Sequence, residues 1–285
     1  MIQWSRGQAH VPSSNRAIVT LLIGNSYLSD WMRVAQKSWE RYASAYGYDL
    51  IVISEPLDDS LISKSRSPAW QKCLILSQPW SFLYDHIIWL DADIIIHPNA
   101  PDILQGVPIE KIGGVFDCDH LSEIDQRIRL ERRAVPSHFR KPSSGVTLEM
   151  SLEDLRRFNN DVYRHTEGIE TDVSSIINTG VLVLSPTYHR SLLERVYQYP
   201  ERCRGQEQHP LSFEILSRGL FHRLNPRFNW LLFPILQIHF PSLSESAFQG
   251  VLSPFLNEIL AHEYNNSFFY HFAMLYKLYQ KVNTP

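Results

Sequence analysis

An α/β fold, with a mostly parallel sheet flanked by helices, is what this 285-residue sequence predicts, and three stretches carry the prediction. The first is Ile87 to Leu90, an apolar run that ends in two carboxylates, Asp91 and Asp93, before a second apolar run, Ile94 to Ile96. Runs apolar at every position belong to strands buried on both faces. Acids are costly to bury unpaired, so a pair directly after such a run fits the carboxyl end of a strand, where an α/β sheet opens onto its ligand crevice. The second stretch is a strand-like run at Ala17 to Ile23, a helical pattern and another run at Tyr48 to Ser54, which reads as a right-handed βαβ unit. The third is Ile176 to Leu184, apolar except for Asn178-Thr179-Gly180.

Composition narrows the class. Hydrophobic residues make up 44% and charged residues 20%, which describes a globular chain with a sizeable core. A net charge of −3 and a pI near 6.5 point away from nucleic acid, and no such partner is expected. Cys73, Cys118 and Cys203 lie far apart and form no Cys-x-x-Cys, which disfavours a structural zinc or a disulfide framework and favours a reducing compartment. Met1 to Asn15 has no signal pattern, and no stretch of 18 apolar residues occurs. The expectation is a cytoplasmic protein, at most peripheral to the inner face of a membrane.

In chain order, Ala17 to Ile23 ends at the polar turn Gly24-Asn25-Ser26-Tyr27, suited to a crevice edge. From Asp30, a plausible N-cap, the residues Trp31, Val34, Ala35, Trp39, Tyr42 and Tyr46 recur at helical spacing, and Gly47 is a plausible C-cap. Glu55 to Pro68 reads as a loop. A helix opens at Ala69 and carries Lys72 towards the central strand. Ile112 to Phe116 is a further short strand ending at Asp117. The charged segment from Asp119 to Asp172 contains Arg127, Arg129, Arg132, Arg133, Arg140 and Lys141, with a capping box at Ser151 to Asp154 and a helix from Leu152 to Tyr163. It reads either as an acceptor-binding lid or as a solvated helical excursion. Helices follow at Tyr188 to Tyr197 and from Gln206 to about Arg218. Pro234 to Pro254 reads as irregular, and the tail from Phe268 is strongly aromatic.

Two carboxylates two residues apart can share a hard divalent cation, and a cation so held can hold a diphosphate. In this order the motifs resemble the GT-A-fold glycosyltransferases, most closely the retaining family 8, which includes glycogenin and bacterial galactosyltransferases. Asp91-Ala92-Asp93 looks like that family's Asp-x-Asp. Lys72 stands where the family has an arginine. Asn178-Thr179-Gly180 is similar to its Asn-x-Gly strand, and Glu207-Gln208 to its Asp-Gln. Asn225 to Asn229 resembles a further turn, and His271-Phe272 with Lys277 keeps the spacing of its His-Phe/Tyr-x-Gly-x-x-Lys. Met274 stands in place of that motif's glycine.

The resemblance implies a single GT-A domain over residues 17–285, with a Rossmann-like mixed, mostly parallel sheet. Residues 17–117 would form the nucleotide-binding half, 118–175 a helical insertion or lid, and 176–285 the acceptor half with the metal motif. Residues 1–16 would be an N-terminal extension. It implies Mn²⁺ or Mg²⁺ held by Asp91, Asp93 and His271, the imidazole favouring Mn²⁺, with a UDP-sugar as donor. Asn25, Ser26, Tyr27, Lys72 and Lys277 would contact the nucleotide and its phosphates. Asn178, Glu207 and Gln208 would face the sugar, Gln208 supporting the transition state. His97 is read as a packed histidine rather than a ligand. The acceptor would be a saccharide, a lipid-linked glycan, a protein or a small molecule. Other readings stay open. They are a catalytically degenerate GT-A domain, a nucleotidyltransferase, for which Gly24-Asn25-Ser26 is poor in glycine, and a dehalogenase-type phosphatase, whose acid pair belongs on an early strand.

Overall fold

The computed structural model describes residues 2–4, 11–134, 163, 168–201 and 206–282; of these, 2–4, 25 and 130–134 are described by backbone alone. The strands are β1 (Ile2–Trp4), β2 (Arg16–Leu21), β3 (Asp49–Ile53), β4 (His86–Leu90), β5 (Ile94–Ile96), β6 (Ile112–Phe116), β7 (Ile177–Leu184), β8 (Phe221–Arg223), β9 (Trp230–Leu231) and β10 (Phe269–His271). Among the described residues they form a seven-stranded sheet, ordered β1-β3-β2-β4-β7-β6-β8, and a three-stranded sheet, β5-β10-β9. The large sheet is mixed and mostly parallel. Its one reversed strand, β7, runs antiparallel to both β4 and β6. Ile2–Trp4, read above as part of an extension, pairs with β3 as an edge strand.

Successive side chains of a strand point to opposite faces, and the packing follows that alternation. Ile18, Leu50, Val52, Ile88, Leu90, Val181 and Val183 face one layer. Ala17, Val19, Ile51, Ile53, Ile87, Trp89, Leu182 and Leu184 face the other. Both faces are dry, which is why the strands are apolar at every position rather than at alternate ones. The first layer includes α1 (Asn25–Val34) and α2 (Gln36–Tyr46), whose Trp39 also donates from Nε1 to the Ile94 carbonyl at 2.8 Å. The second includes the 3₁₀ segment Pro68–Ser77, α5 (Pro186–Tyr197) and α6 (Gln208–Ser217). Two further helices, α3 (Leu61–Lys64) and α4 (Glu123–Ala134), fall between α2 and α5 in chain order.

Three expectations are corrected. The single helix from Asp30 to Gly47 is two, parted at Ala35, whose carbonyl takes the Ser38 hydroxyl at 2.7 Å, a local bond that competes with the helical ladder. Asp30 lies inside α1 and caps nothing; Gly47 does end α2, with φ 67. The helix at Ala69 is a 3₁₀ segment capped by Ser67. Pro234 to Pro254 is not irregular but contributes to α7 (Leu232–His239), α8 (Pro241–Phe248) and α9 (Pro254–Asn266). Its prolines sit in first helical turns, where the missing N–H has no partner to lose. Of the charged excursion, α4 and Tyr163 are described; Arg140, Lys141, the capping box and the rest of the 152–163 helix lie outside the described residues, as does Cys203.

The small sheet assembles the site. Strand β5 begins one residue after Asp93, and β10 ends at His271. Their antiparallel register sets His271 opposite Ile94 and Tyr270 opposite Ile95. The Phe272 N–H donates to the Asp93 carbonyl at 3.0 Å. Backbone pairing therefore brings the C-terminal histidine to the acid pair.

Candidate metal centre and adjoining pocket

Asp91 follows the last residue of β4, and its N–H donates to the Gly180 carbonyl of β7 at 2.8 Å. Its Oδ1 accepts from Trp89 Nε1 at 2.8 Å and from Lys72 Nζ at 3.1 Å. Asp93 Oδ1 lies 3.2 Å from His271 Nε2, and Asp91 Oδ2 lies 4.0 Å from it. One ligand atom from each of Asp91, Asp93 and His271 falls within 4.8 Å of the others. Donor atoms about 2.1 Å from an octahedral ion lie about 3 Å apart when adjacent. The spacings fit a small divalent cation.

Charge points the same way. Lys72 is 4% exposed, and its ammonium also meets Glu207 Oε1 at 2.9 Å and the Thr179 carbonyl at 3.2 Å. Three acids thus gather around a single lysine, Asp91 and Glu207 on its ammonium and Asp93 on His271. Burial opposes the charged form of Asp91, but Lys72 and then His271 outweigh it and hold its carboxyl below the usual range. Burial also opposes protonation of His271; the Asp93 carboxylate outweighs it, and the imidazole pKa is raised. Oxygen and imidazole donors suit Mn²⁺ or Mg²⁺, with the nitrogen favouring Mn²⁺.

His271 packs closely against β7 because residue 180 is glycine. A Cβ there would stand 2.4 Å from His271 Cε1 and 3.0 Å from Nδ1. The ring's Nδ1 is 2.8 Å from Asn229 Oδ1, and Asn229 Nδ2 donates to Asn178 Oδ1 at 2.8 Å.

A cavity of about 390 Å³ opens beside the acids, lined among others by Tyr27, Ser67, Lys72, Trp89, Gln206 and Tyr276. Its size falls in the range of small-molecule sites. Tyr27 and Tyr276 form one wall, with ring centroids 4.6 Å apart. Tyr276 opens α10 (Tyr276–Tyr279), and its hydroxyl and Gln280 Nε2 both donate to Asp30 Oδ2 at 2.7 Å, tying the tail to α1.

The expected site residues divide. Asp91, Asp93 and His271 converge, and Lys72 and Tyr27 line the cavity with the two acids. Asn178 and Glu207 are buried behind that cluster, Glu207 Oε1 also accepting from Thr179 Oγ1 at 2.9 Å. Gln208 is the half-buried first residue of α6. Ser26 is exposed outside the cavity lining, and the Asn25 side chain lies outside the described residues. Lys277 points to Gln249 Oε1 at 3.2 Å. His97 accepts from the Asn99 N–H and packs on Tyr264. Met274 holds φ 69, the left-handed conformation that glycine adopts freely, so this loop keeps a glycine-like backbone with a methionine in place. Sequence reasoning passed over Gln206, Trp89 and Tyr276 in the cavity wall; of these only Gln206, with φ 53, has an unusual backbone, and nothing in its residue type announces that.

No protein-family profile and no curated protein matches the chain. Solved structures do. A glycosyltransferase involved in the glycosylation of the major capsid of PBCV-1 is 12% identical and aligns with a TM-score of 0.50, over 94% of this chain and 100% of that one. The galactosyltransferase LgtC, solved with donor and acceptor sugar analogs, is 15% identical with a TM-score of 0.47, over 90% of this chain and 86% of its own. Mouse xyloside xylosyltransferase 1 is 12% identical with a TM-score of 0.42, over 90% and 97%. The chain has the GT-A fold of glycosyltransferases.

Proposed function

We propose that this chain is a metal-dependent glycosyltransferase, of the kind its family 8 resemblance implies. It moves a hexose from a nucleotide-sugar, a UDP-sugar, to an acceptor hydroxyl with retention of anomeric configuration. The observation that carries this reading is the convergence of Asp91, Asp93 and His271 at the end of β4, beside a nucleotide-sized cavity in a GT-A fold. A divalent cation, when bound, neutralises the diphosphate charge that grows as the glycosidic bond breaks. The residues of the chain do the rest. Tyr27 and Tyr276 flank the base. Lys72 fixes Asp91 and Glu207 in place, and Gln206 and Gln208 lie towards the sugar. The C1–O bond to the diphosphate breaks and a bond from the acceptor oxygen to C1 forms on the same face. The acceptor proton passes to the departing diphosphate. The acceptor is a saccharide, a lipid-linked glycan, a protein or a small molecule. Among the described residues no helix is long and apolar enough to cross a membrane.

Thermal unfolding against a panel of nucleotide-sugars, with and without Mn²⁺, tests the reading. A ligand at a hundred times its dissociation constant adds about 2.7 kcal/mol. A Mn²⁺-dependent upward shift with a UDP-sugar, lost in Asp93→Asn, is expected, with slow release of UDP from that donor. Absence of any shift at saturating concentrations would refute it.

A further inference from the structure

We infer that Asn229 is a positioning residue that sets the tautomer of His271 and so presents the Nε2 lone pair to a divalent cation. The cation half of this inference rests on the function proposed above; the tautomer half does not.

The Gly180 backbone N–H can only donate, and it meets the Asn178 side chain at 3.1 Å, so the atom there is the amide oxygen. That oxygen is also 2.8 Å from the Asn229 amide, and two oxygens would repel at that distance. Asn229 therefore turns its nitrogen to Asn178, where the Asn178 carbonyl, at 3.4 Å, is a second acceptor for it. The other Asn229 atom is then its oxygen, 2.8 Å from His271 Nδ1. An amide oxygen only accepts, so Nδ1 carries the hydrogen. In the neutral ring Nε2 is left with its lone pair, and Nε2 is the atom that lies 3.2 Å from Asp93 Oδ1 and 4.0 Å from Asp91 Oδ2.

Burial makes the chain consequential. Asn229 is 1% exposed and His271 2%, so water does not substitute for either partner. A histidine ligand whose other nitrogen donates to a fixed acceptor is held in orientation as well as in tautomer. Asn229 ends the 3₁₀ turn Pro226–Asn229 immediately before β9, which pairs with β10 through His271 and Leu231. The backbone that aligns the histidine thus also places its orienting amide.

Two measurements test this. In metal-free protein labelled with ¹⁵N-histidine, long-range imidazole NMR above the ring's titration range should show His271 protonated at Nδ1, the signal being assigned by its loss in His271→Asn. An Nε2-protonated ring overturns the inference. Mn²⁺ affinity, read by electron paramagnetic resonance of the free ion, should fall about 10–100-fold in Asn229→Leu, which cannot accept from Nδ1. Asn229→Asp restores an acceptor there but sets an oxygen against Asn178 Oδ1. It should therefore hold Mn²⁺ within a few-fold of wild type while unfolding at a lower temperature. Affinity that tracks unfolding temperature across both variants overturns the positioning role and leaves Asn229 a packing residue. Wild-type protein that takes up no Mn²⁺ overturns the cation half together with the proposed function, and the NMR result still decides the tautomer.

Discussion

Gly180→Ala places a single methyl where the structure has no room for it. The new carbon would stand 2.4 Å from His271 Cε1, 3.0 Å from its Nδ1 and 3.1 Å from Asn178 Oδ1. The first contact is short of an ordinary carbon–carbon separation by about 1 Å or more. Gly180 is not among the positive-φ residues, so the backbone accepts alanine and the effect is steric alone. Neither neighbour can yield freely. The histidine is held by Asn229 on one nitrogen and faces the acids on the other, and Asn178 is bonded to both Gly180 and Asn229. Overpacking of this kind costs about 1–3 kcal/mol. A shift of the ring by even half the missing distance moves Nε2 off the position it shares with Asp93. The expected outcome is a loss of about 1–3 kcal/mol in urea unfolding of the metal-free protein, with Mn²⁺ affinity reduced at least tenfold. Wild-type stability together with wild-type affinity would refute the claim that this glycine exists to seat the histidine.

Two further outcomes follow from other parts of the fold. Burial against Trp230 pushes the His120 imidazole down to about 4, outweighing the hydrogen bond to the Leu231 carbonyl, which raises it. A histidine depressed in the folded state is protonated first in the unfolded chain, so it erodes stability as pH falls below the unfolded value near 6.5, until about pH 4. The full effect is about 3 kcal/mol; His120→Phe should flatten the pH dependence of unfolding over that window, and an imidazole NMR titration with a midpoint above 6 would contradict the reasoning. Met274 is 67% exposed at φ 69. Left-handed backbone costs a side-chain-bearing residue about 1–2 kcal/mol, and glycine gives back about 0.5–1 kcal/mol in unfolded-state entropy. Met274→Gly should therefore raise stability by up to about 1 kcal/mol, and a lower melting temperature would show that the methionine side chain packs usefully.

The parts of the fold carried by uninterrupted apolar runs were legible in the sequence, because burial on both faces leaves no polar position to obscure them. Strands β2, β3, β4, β6 and β7 all stand close to where those runs lie. The direction of β7 was not legible, since a run apolar at every residue reads the same parallel or antiparallel. Proline misled the reading of residues 234 to 254, where its position within the first helical turn, rather than its presence, decides the outcome. At the site, the acid pair and His271 were visible as motifs, but their meeting depends on the β5–β10 register, which no local pattern encodes. Asn229 was visible only as the end of a turn. Its function depends on a chain of donors and acceptors through Asn178 and Gly180, distant in sequence and adjacent in space.

Lys72 shows what a lysine does at a buried acidic cluster that an arginine would serve less well. An ammonium offers three donors and a compact charge; a guanidinium offers five in a planar fork. The three nearest acceptors of Lys72 are Asp91 Oδ1 at 3.1 Å, Glu207 Oε1 at 2.9 Å and the Thr179 carbonyl at 3.2 Å, with Thr179 Oγ1 farther off at 3.5 Å. They belong to three separate segments, β7 among them, and one point charge satisfies all three in a place 4% exposed. A fork would bring two more N–H groups into that space, each costly to leave unpaired. The two acids outweigh burial and keep the ammonium charged, its pKa raised above the usual lysine value. By occupying Oδ1 of Asp91 together with Trp89, the lysine leaves Oδ2 as the oxygen turned towards His271. The same ammonium joins Asp91, just past β4, to Glu207, immediately before α6, so that the end of the central strand and the helix bearing Gln208 share one buried charge.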